Sequence, residues 1–241
     1  MYFISNNKFD NSLLILFSLL PISILFGNFL INFTIISIGS LFFFKIIKKK
    51  TYFFKSKDNY YLFFLLLFFF LSLVVNLFFT NNISLSYERV LKIFFVIFYI
   101  LAFKFLIINY YENIEKIYKF WSLIFSVVIF DLIFEFYFGR NILGYTSIMK
   151  GRLASFSGEE SVIGHFFFGF CLIFLSFIYN KTQNIFLNIS LAIFLILISL
   201  LIGERANFIR TFIIFTSSRV IYKISCHRKT NLIKDKCQYL F

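Results

Sequence analysis

The sequence predicts an all-α fold, a polytopic transmembrane helical bundle of about seven spans with a weak eighth. Three observations predict this class: 60% of the 241 residues are hydrophobic, only 15% are charged, and the mean hydropathy is +0.87. A soluble domain of this size has too little interior to bury so much apolar surface. The apolar runs are also continuous, whereas the strands of a membrane β-barrel alternate apolar and polar residues. Composition therefore argues against a soluble enzyme, a disordered tail and a disulfide scaffold.

Each span needs about 20 mostly apolar residues to cross the hydrocarbon of a bilayer. Seven runs reach or approach this length: 13–30, 29–47, 60–79, 90–108, 121–138, 161–179 and 185–202. The first run contains Pro21, and the first two follow each other so closely that they predict a tight helical hairpin turning near Gly27. The eighth run, 208–224, is weak because Arg210 and Arg219 interrupt it.

The loops predict the orientation of the bundle. The segment 45–59 holds six Lys and one Asp, and the positive-inside rule keeps such a segment in the cytoplasm. The N-terminus and the connection 109–120 are then cytoplasmic as well. The connection 139–160 and the segment that begins at Gly203 fall on the outer face.

The basic residues indicate membrane topology rather than nucleic-acid binding. The formal net charge is +13, and a basic, aromatic-rich chain can indicate a nucleic-acid partner. Here the Lys residues cluster in short loops, which is typical of a membrane protein. The lipid bilayer is therefore the expected partner, and nucleic acid is not. The sequence has no internal repeat, so residues 1–224 are expected to form a single transmembrane domain and residues 225–241 a basic polar tail.

Several kinds of catalytic site are absent from the sequence. The cysteines are odd in number and fit no metal-ligand spacing, so neither a disulfide nor a metal site is expected. They are Cys171, Cys226 and Cys237. The chain has no P-loop, no dinucleotide fingerprint and no GxSxG or HExxH motif. Nucleotide-driven chemistry is therefore not expected, and no cofactor is predicted.

The first candidate for function is a pair of carboxylates, Asp131 and Glu135. Ionisable residues within or at the edge of a span are costly and for that reason are functional candidates. The two residues are four apart, so they share a helix face near the outer end of the fifth span. They could bind a cation, carry protons or act as a general base. The alternative, which we favour, is that both hydrogen-bond to polar neighbours within the bundle.

The second candidate is the connection 139–160, the one long stretch that is polar and rich in glycine. Six of the nine Gly fall between Gly139 and Gly169. Its charged side chains are Arg140, Lys150, Arg152, Glu159 and Glu160. Arginine can bind phosphate oxygens with a planar, two-pronged set of donors. The alternative is an ordinary solvated loop whose charges end the helices.

The third candidate is the segment GERANFIR, residues 203–210, directly after the seventh span. Glu204 and Arg205 are expected at the membrane surface on the same side as Arg152. The alternative is an internal Glu–Arg ion pair that ends a helix. His165, at the start of the sixth span, is interpreted first as a packed, hydrogen-bonded residue and second as a ligand or base.

The stretch 130–167, FDLIFEFYFGRNILGYTSIMKGRLASFSGEESVIGHFF, resembles the central region of the O-antigen ligase and O-antigen polymerase superfamily. The part of it that carries the resemblance is RLASFSGEESVIG, from Arg152 to Gly164. GERANFIR resembles the second short motif of that family, and two spans separate the two motifs. The likeness extends over residues 60–212. The chain departs from the family pattern at Ala154, where Gly is common, and at 157–158, where an acidic or amide residue is common.

The resemblance implies a membrane glycosyltransferase of cell-surface polysaccharide biosynthesis in the bacterial inner (plasma) membrane. Its donor would be a glycan on undecaprenyl diphosphate, and its acceptor either a second lipid-linked glycan (polymerase) or lipid A core (ligase). No metal and no nucleotide would take part. By the same resemblance Arg152 and Arg205 would contact the diphosphate, and Glu160 or Glu159 would orient or deprotonate the acceptor hydroxyl. Accessory roles would fall to Asp131, Glu135, Arg140 and His165.

Two further hypotheses remain open at this point. A transporter or flippase would use Asp131 and Glu135 as its coupling site, which requires them near the bilayer midplane. A non-catalytic membrane subunit would use neither these carboxylates nor the arginines Arg152 and Arg205. After Ile214 the chain becomes polar and basic. Members of the family usually continue with a large outer loop and more spans, so the alternative to an intact enzyme is a truncated or frameshifted member, which would lack part of the active site and be inactive alone.

Overall fold

The computed structural model describes residues 8–48, 57–80, 83–147, 151–158, 160–181, 184–203, 205–213 and 215. Within these ranges the regular structure is entirely helical, so the predicted all-α class is confirmed. The helices are α1 Lys8–Ser18, α2 Leu20–Leu25, α3 Asn28–Lys48, α4 Lys57–Leu77, α5 Ile83–Asn109, α6 Tyr111–Phe138, α7 Glu160–Lys181 and α8 Ile185–Leu201, with a 3₁₀ turn at Ser155–Ser157. Residues 205–213 are also helical, and the predicted tail 225–241 lies outside the described residues.

Five of the described helices, α3 to α7, are long and apolar enough to cross a membrane. Two others, α1 and α8, are apolar but shorter. The 17 residues of α8 extend over about 26 Å at 1.5 Å per residue, slightly less than the hydrocarbon thickness of about 30 Å. No side chain between Tyr60 and Leu77 of α4 is buried, and an apolar surface of that kind requires an apolar environment. The chain is therefore a multi-span helical membrane protein.

The predicted span 13–30 is not a single helix. The helix is interrupted at Leu19 and again at Phe26. Pro21 has no N–H to donate to the carbonyl one turn earlier, which interrupts the ladder between α1 and α2. Gly27 has a φ of 105°, a conformation that residues with a side chain rarely adopt, and it ends the second piece.

The predicted reversal near Gly27 is confirmed. Asp10, at the start of α1, forms an ion pair with Lys45, at the end of α3. The start of one helix thus meets the end of the other, so α1 and α3 run antiparallel as a hairpin requires.

The predicted connection 109–120 is also wrong, because α6 begins at Tyr111 and only Tyr110 lies between it and α5. Tyr110 closes α5 with its N–H and opens α6 with its carbonyl, so the two helices meet at this one residue. The Tyr110 N–H donates to the Leu106 carbonyl (2.8 Å), and the Ile114 N–H donates to the Tyr110 carbonyl (3.0 Å). The charged residues that suggested a loop are Glu and Lys, which are strong helix formers.

The described residues divide into two compact units, the first formed by those within 1–23 and 27–117 and the second by those within 24–26 and 118–241. In the first unit α3 contacts α1 and α5. Phe17 stacks on Tyr99 with ring centroids 5.2 Å apart. A Cβ added at Gly39 of α3 would lie 2.7 Å from the carbonyl oxygen of Phe95 in α5. Gly39 therefore allows a close approach of two backbones that no other residue type would permit.

The second unit is held together by aromatic contacts between α6 and α7. The Trp121 and Phe170 rings meet edge to face at 5.5 Å, and the Phe125 and Phe167 rings lie 5.1 Å apart. α7 also contacts α8 and the 3₁₀ turn. These contacts bring α6, α8 and the 3₁₀ turn together around α7.

Candidate functional site

Asp131 and Glu135 lie on one face of α6, as their spacing predicts, and both are buried. Asp131 Oδ1 accepts a hydrogen bond from the Ile142 N–H at 2.8 Å. Asp131 Oδ2 accepts one from the Ser155 hydroxyl at 2.6 Å. Asp131 thereby joins the end of α6 to two separate points of the loop that follows.

The Glu135 carboxylate binds the backbone of the same loop. Its Oε2 accepts from the Ser155 N–H at 2.7 Å and from the Ala154 N–H at 3.1 Å. Its Oε1 lies 3.2 Å from the same Ala154 nitrogen. Both carboxylates therefore hydrogen-bond to polar neighbours, which is the interpretation that the sequence favoured. Among the described residues no three His, Cys, Asp or Glu side chains come together as a metal site.

Asn141 completes the cluster and was not singled out from the sequence. Its Nδ2 donates to the Ser155 carbonyl at 2.9 Å, and its Oδ1 accepts from the Tyr145 N–H at 2.8 Å. The side chain is buried. Asn and Gly are frequent turn formers, so the presence of Asn141 between Gly139 and Gly144 was a usable signal.

Ser155 is the residue at which these bonds meet, and nothing in the sequence marks it. Its N–H, hydroxyl and carbonyl all bond to the cluster. Its φ is 48°, a conformation that costs a residue with a side chain about 1–3 kcal/mol. A strained residue of this kind persists only where its surroundings hold it, and here the two carboxylates and Asn141 do so.

The two motifs of the sequence meet at Gly203. A Cβ added there would lie 2.9 Å from Arg152 Cγ and 3.5 Å from Arg152 Cδ, and Gly203 has a φ of +84°. The aliphatic stem of Arg152 thus lies over Gly203. The Cα atoms of Gly203 and Arg205 are at most about 7.6 Å apart, because adjacent Cα atoms are about 3.8 Å apart. Arg152 and Arg205 are both exposed.

An apolar cavity of about 250 Å³ lies between α6, α8 and Leu153. Its walls are side chains of α6 from Leu132 to Tyr137, Leu153, and side chains of α8 from Phe194 to Leu201. Leu153 directly follows Arg152, and Leu201 precedes Gly203 by two residues. Residues close to both basic segments along the chain therefore line the cavity, while Arg152 and Arg205 are not part of its walls.

The remaining candidate residues have no contact with this cluster among those described above. Arg140 is exposed on the loop after α6, and His165 is exposed in the second turn of α7. Glu160 is the first residue of α7, and the structure describes its backbone but not its side chain. Glu159, Lys150 and Glu204 lie outside the described residues, as do Cys226, His227 and Cys237.

A scan against protein-family models, a search of curated proteins and a search of solved structures each found no match to this chain. The resemblance to the O-antigen ligase and polymerase superfamily therefore stays a prediction that depends on the residues of the two motifs.

Proposed function

We propose that this protein is a membrane glycosyltransferase of O-antigen-type polysaccharide biosynthesis that polymerises or ligates glycans carried on undecaprenyl diphosphate. The observation that carries the proposal is the contact of the Arg152 stem with Gly203, which joins the two motif segments, and the neighbouring residues Leu153 and Leu201 line an apolar cavity. A ligand with an anionic head and an apolar chain is the kind of molecule that suits such a place. The proposal includes a bacterial inner membrane, a cytoplasmic N-terminus and both motifs on the outer face.

The reaction needs stabilisation of a leaving group. The acceptor hydroxyl oxygen attacks the anomeric carbon of the donor sugar, and the bond from that carbon to the diphosphate oxygen breaks. The electron pair stays on the diphosphate, whose negative charge grows in the transition state. Preorganised donors that face a developing charge are usually the largest source of rate enhancement. Arg152 and Arg205 are the proposed donors.

The proton of the acceptor hydroxyl also needs a base. On the resemblance, Glu160 or Glu159 takes this role. Glu160 begins α7 directly after the segment that carries Arg152. The transport hypothesis depends on Asp131 and Glu135 as coupling groups, and these carboxylates bind loop backbone and a serine hydroxyl instead. We therefore propose no second function.

The test is the glycan chain length, read as gel banding, in cells that express the protein with Arg152→Ala or Arg205→Ala. Each change is expected to reduce the polymer or ligated product about a hundredfold or more, the typical effect of removing one preorganised donor. Arg→Lys should also impair activity, because a point charge does not reproduce the two-pronged geometry. Arg89→Ala is the matched control, since Arg89 is an exposed arginine of α5 in the other unit. Wild-type banding in both arginine variants would refute the proposal.

A further inference from the structure

The backbone that follows Arg152 is held at two consecutive residues, Ala154 and Ser155, and Glu135 accepts the hydrogen bond from each. The N–H groups of Ala154 and Ser155 donate to this one carboxylate, and Ala154 follows Arg152 by two residues. Asp131, one helical turn earlier, binds the Ser155 hydroxyl and the Ile142 N–H. We propose that Asp131 and Glu135 are positioning residues, which hold the segment 152–158 so that Arg152 stands beside Gly203. This role rests on the proposed function of Arg152.

The burial of the cluster supports the inference. Asp131 is 0% exposed and Glu135 is 3% exposed, while Arg152 is exposed. The carboxylates are therefore enclosed beneath the anchored residues Ala154 and Ser155, while Arg152 stays exposed beside Gly203. The strained φ of Ser155 indicates that these bonds hold a backbone shape that the segment would not adopt alone. Without them we expect the segment to relax, and Arg152 to leave Gly203.

Neutral isosteres distinguish this role from a proton or cation site. In Glu135→Gln the amide oxygen can still accept from the Ala154 and Ser155 N–H groups, as Oε2 does now. In Asp131→Asn the oxygen can accept from Ile142, and the new NH₂ can donate to the Ser155 oxygen once its hydroxyl rotates. A positioning role therefore tolerates both amides, whereas a proton carrier or cation ligand loses its function in them. Glu135→Ala and Asp131→Ala remove the bonds in either case.

The position of the segment can be measured without any enzyme assay. The protein, purified in detergent, carries Leu153→Cys, Cys226→Ser and Cys237→Ser, and it is treated with a water-soluble maleimide. Leu153 and Cys171 are both buried, so both cysteines are expected to label slowly in the parent. Peptide mapping by mass spectrometry reads each site separately. Position 153 reports on the segment, and Cys171 in α7 reports on the fold of the unit.

Glu135→Ala and Asp131→Ala are expected to raise labelling at position 153 about tenfold or more, because losing even one hydrogen bond to a charged acceptor shifts a local opening equilibrium by that factor. Cys171 should stay protected. Glu135→Gln and Asp131→Asn should label within about threefold of the parent. Unchanged labelling in the alanine variants, or equal labelling in the amide and alanine variants, would overturn the proposal.

If an alanine variant also exposes Cys171, its unit has unfolded, and Ser155→Ala decides the question instead. This change removes one bond to Asp131 and leaves the two backbone bonds to Glu135. It is expected to raise labelling at position 153 severalfold with Cys171 protected, and no increase would overturn the proposal. The proposed function fails separately: wild-type banding in both Arg152→Ala and Arg205→Ala refutes the transferase and leaves the labelling result standing.

Discussion

Each unit of this protein buries acidic side chains, but the two units supply different partners. In the first unit Asp10 accepts hydrogen bonds from the Lys45 ammonium and, at 2.6 Å, from the Tyr110 hydroxyl. Lys45 also lies over the Phe105 ring, 3.7 Å from its centroid. In the second unit the donors to Asp131 and Glu135 are backbone N–H groups and one hydroxyl.

The difference concerns what each cluster fixes. The Asp10 cluster joins the start of α1 to the end of α3 through the opposite charge of Lys45, and to the residue that follows α5 through the Tyr110 hydroxyl. It therefore fixes helix ends, and removing one partner leaves a buried charge. The second cluster fixes the path of a loop through neutral donors. Its loop can present side chains such as Arg152 outward, since the anchoring uses the backbone.

The largest effect that the comparison predicts is for Asp10→Asn. The amide cannot neutralise Lys45, so the first unit should lose about 3–5 kcal/mol of stability, as when one partner of a buried ion pair is removed. Circular dichroism of denaturant titrations in detergent measures this loss. The double variant Asp10→Asn, Lys45→Met should recover most of it. A loss below about 1 kcal/mol would show that the pair behaves as a surface salt bridge.

Gly39→Ala should have the next largest effect, a loss of about 1–3 kcal/mol of stability, which is the typical cost of overpacking. The new Cβ would meet the Phe95 carbonyl oxygen at 2.7 Å, and a backbone atom within a packed helix pair cannot rotate away. The same titrations measure the change. Gly169→Ala in α7 is the control, since a Cβ there has nothing within 4 Å. Equal stability of the two variants would contradict the close approach of α3 and α5.

Gly203→Ala differs from Gly39→Ala, because the atoms that the new Cβ would meet belong to the Arg152 side chain and not to a backbone. The positive φ should cost about 1–2 kcal/mol, while the Arg152 stem can move aside. We therefore expect a modest loss of stability together with a clear loss of product in the gel-banding assay. Gly144→Ala is the control, with a similar φ of +87° and nothing near the added Cβ. Full activity in Gly203→Ala would argue against a role for the Arg152–Gly203 contact.

The smallest stability effect is expected for Asp131→Asn, below about 1 kcal/mol, because its donors are neutral and can be satisfied by an amide. This is the counterpart of Asp10→Asn, and the same titrations compare the two. If both variants lost several kcal/mol, the distinction between a charged and a neutral set of donors would be wrong.

Much of the fold was predictable from residue order. The helical spans at 60–79, 90–108, 121–138 and 161–179 correspond to α4, α5, α6 and α7. The errors at 13–30 and 109–120 arose because hydropathy does not report directly on helix formation. Pro21 interrupts a helix inside an apolar run, whereas Glu112 and Lys116 lie within helix α6 although their segment is polar.

The sequence by itself determined that the chain is a bundle of membrane helices, because the length of an apolar run is matched to the thickness of a bilayer and needs no knowledge of neighbours. It also showed that Asp131 and Glu135 share a helix face. Only the tertiary structure decided that both hold the backbone around Ser155, and that Arg152 lies over Gly203. The bonding partners are 11 to 24 residues away along the chain, and which groups meet over such distances depends on the path of the loop, which no local pattern encodes.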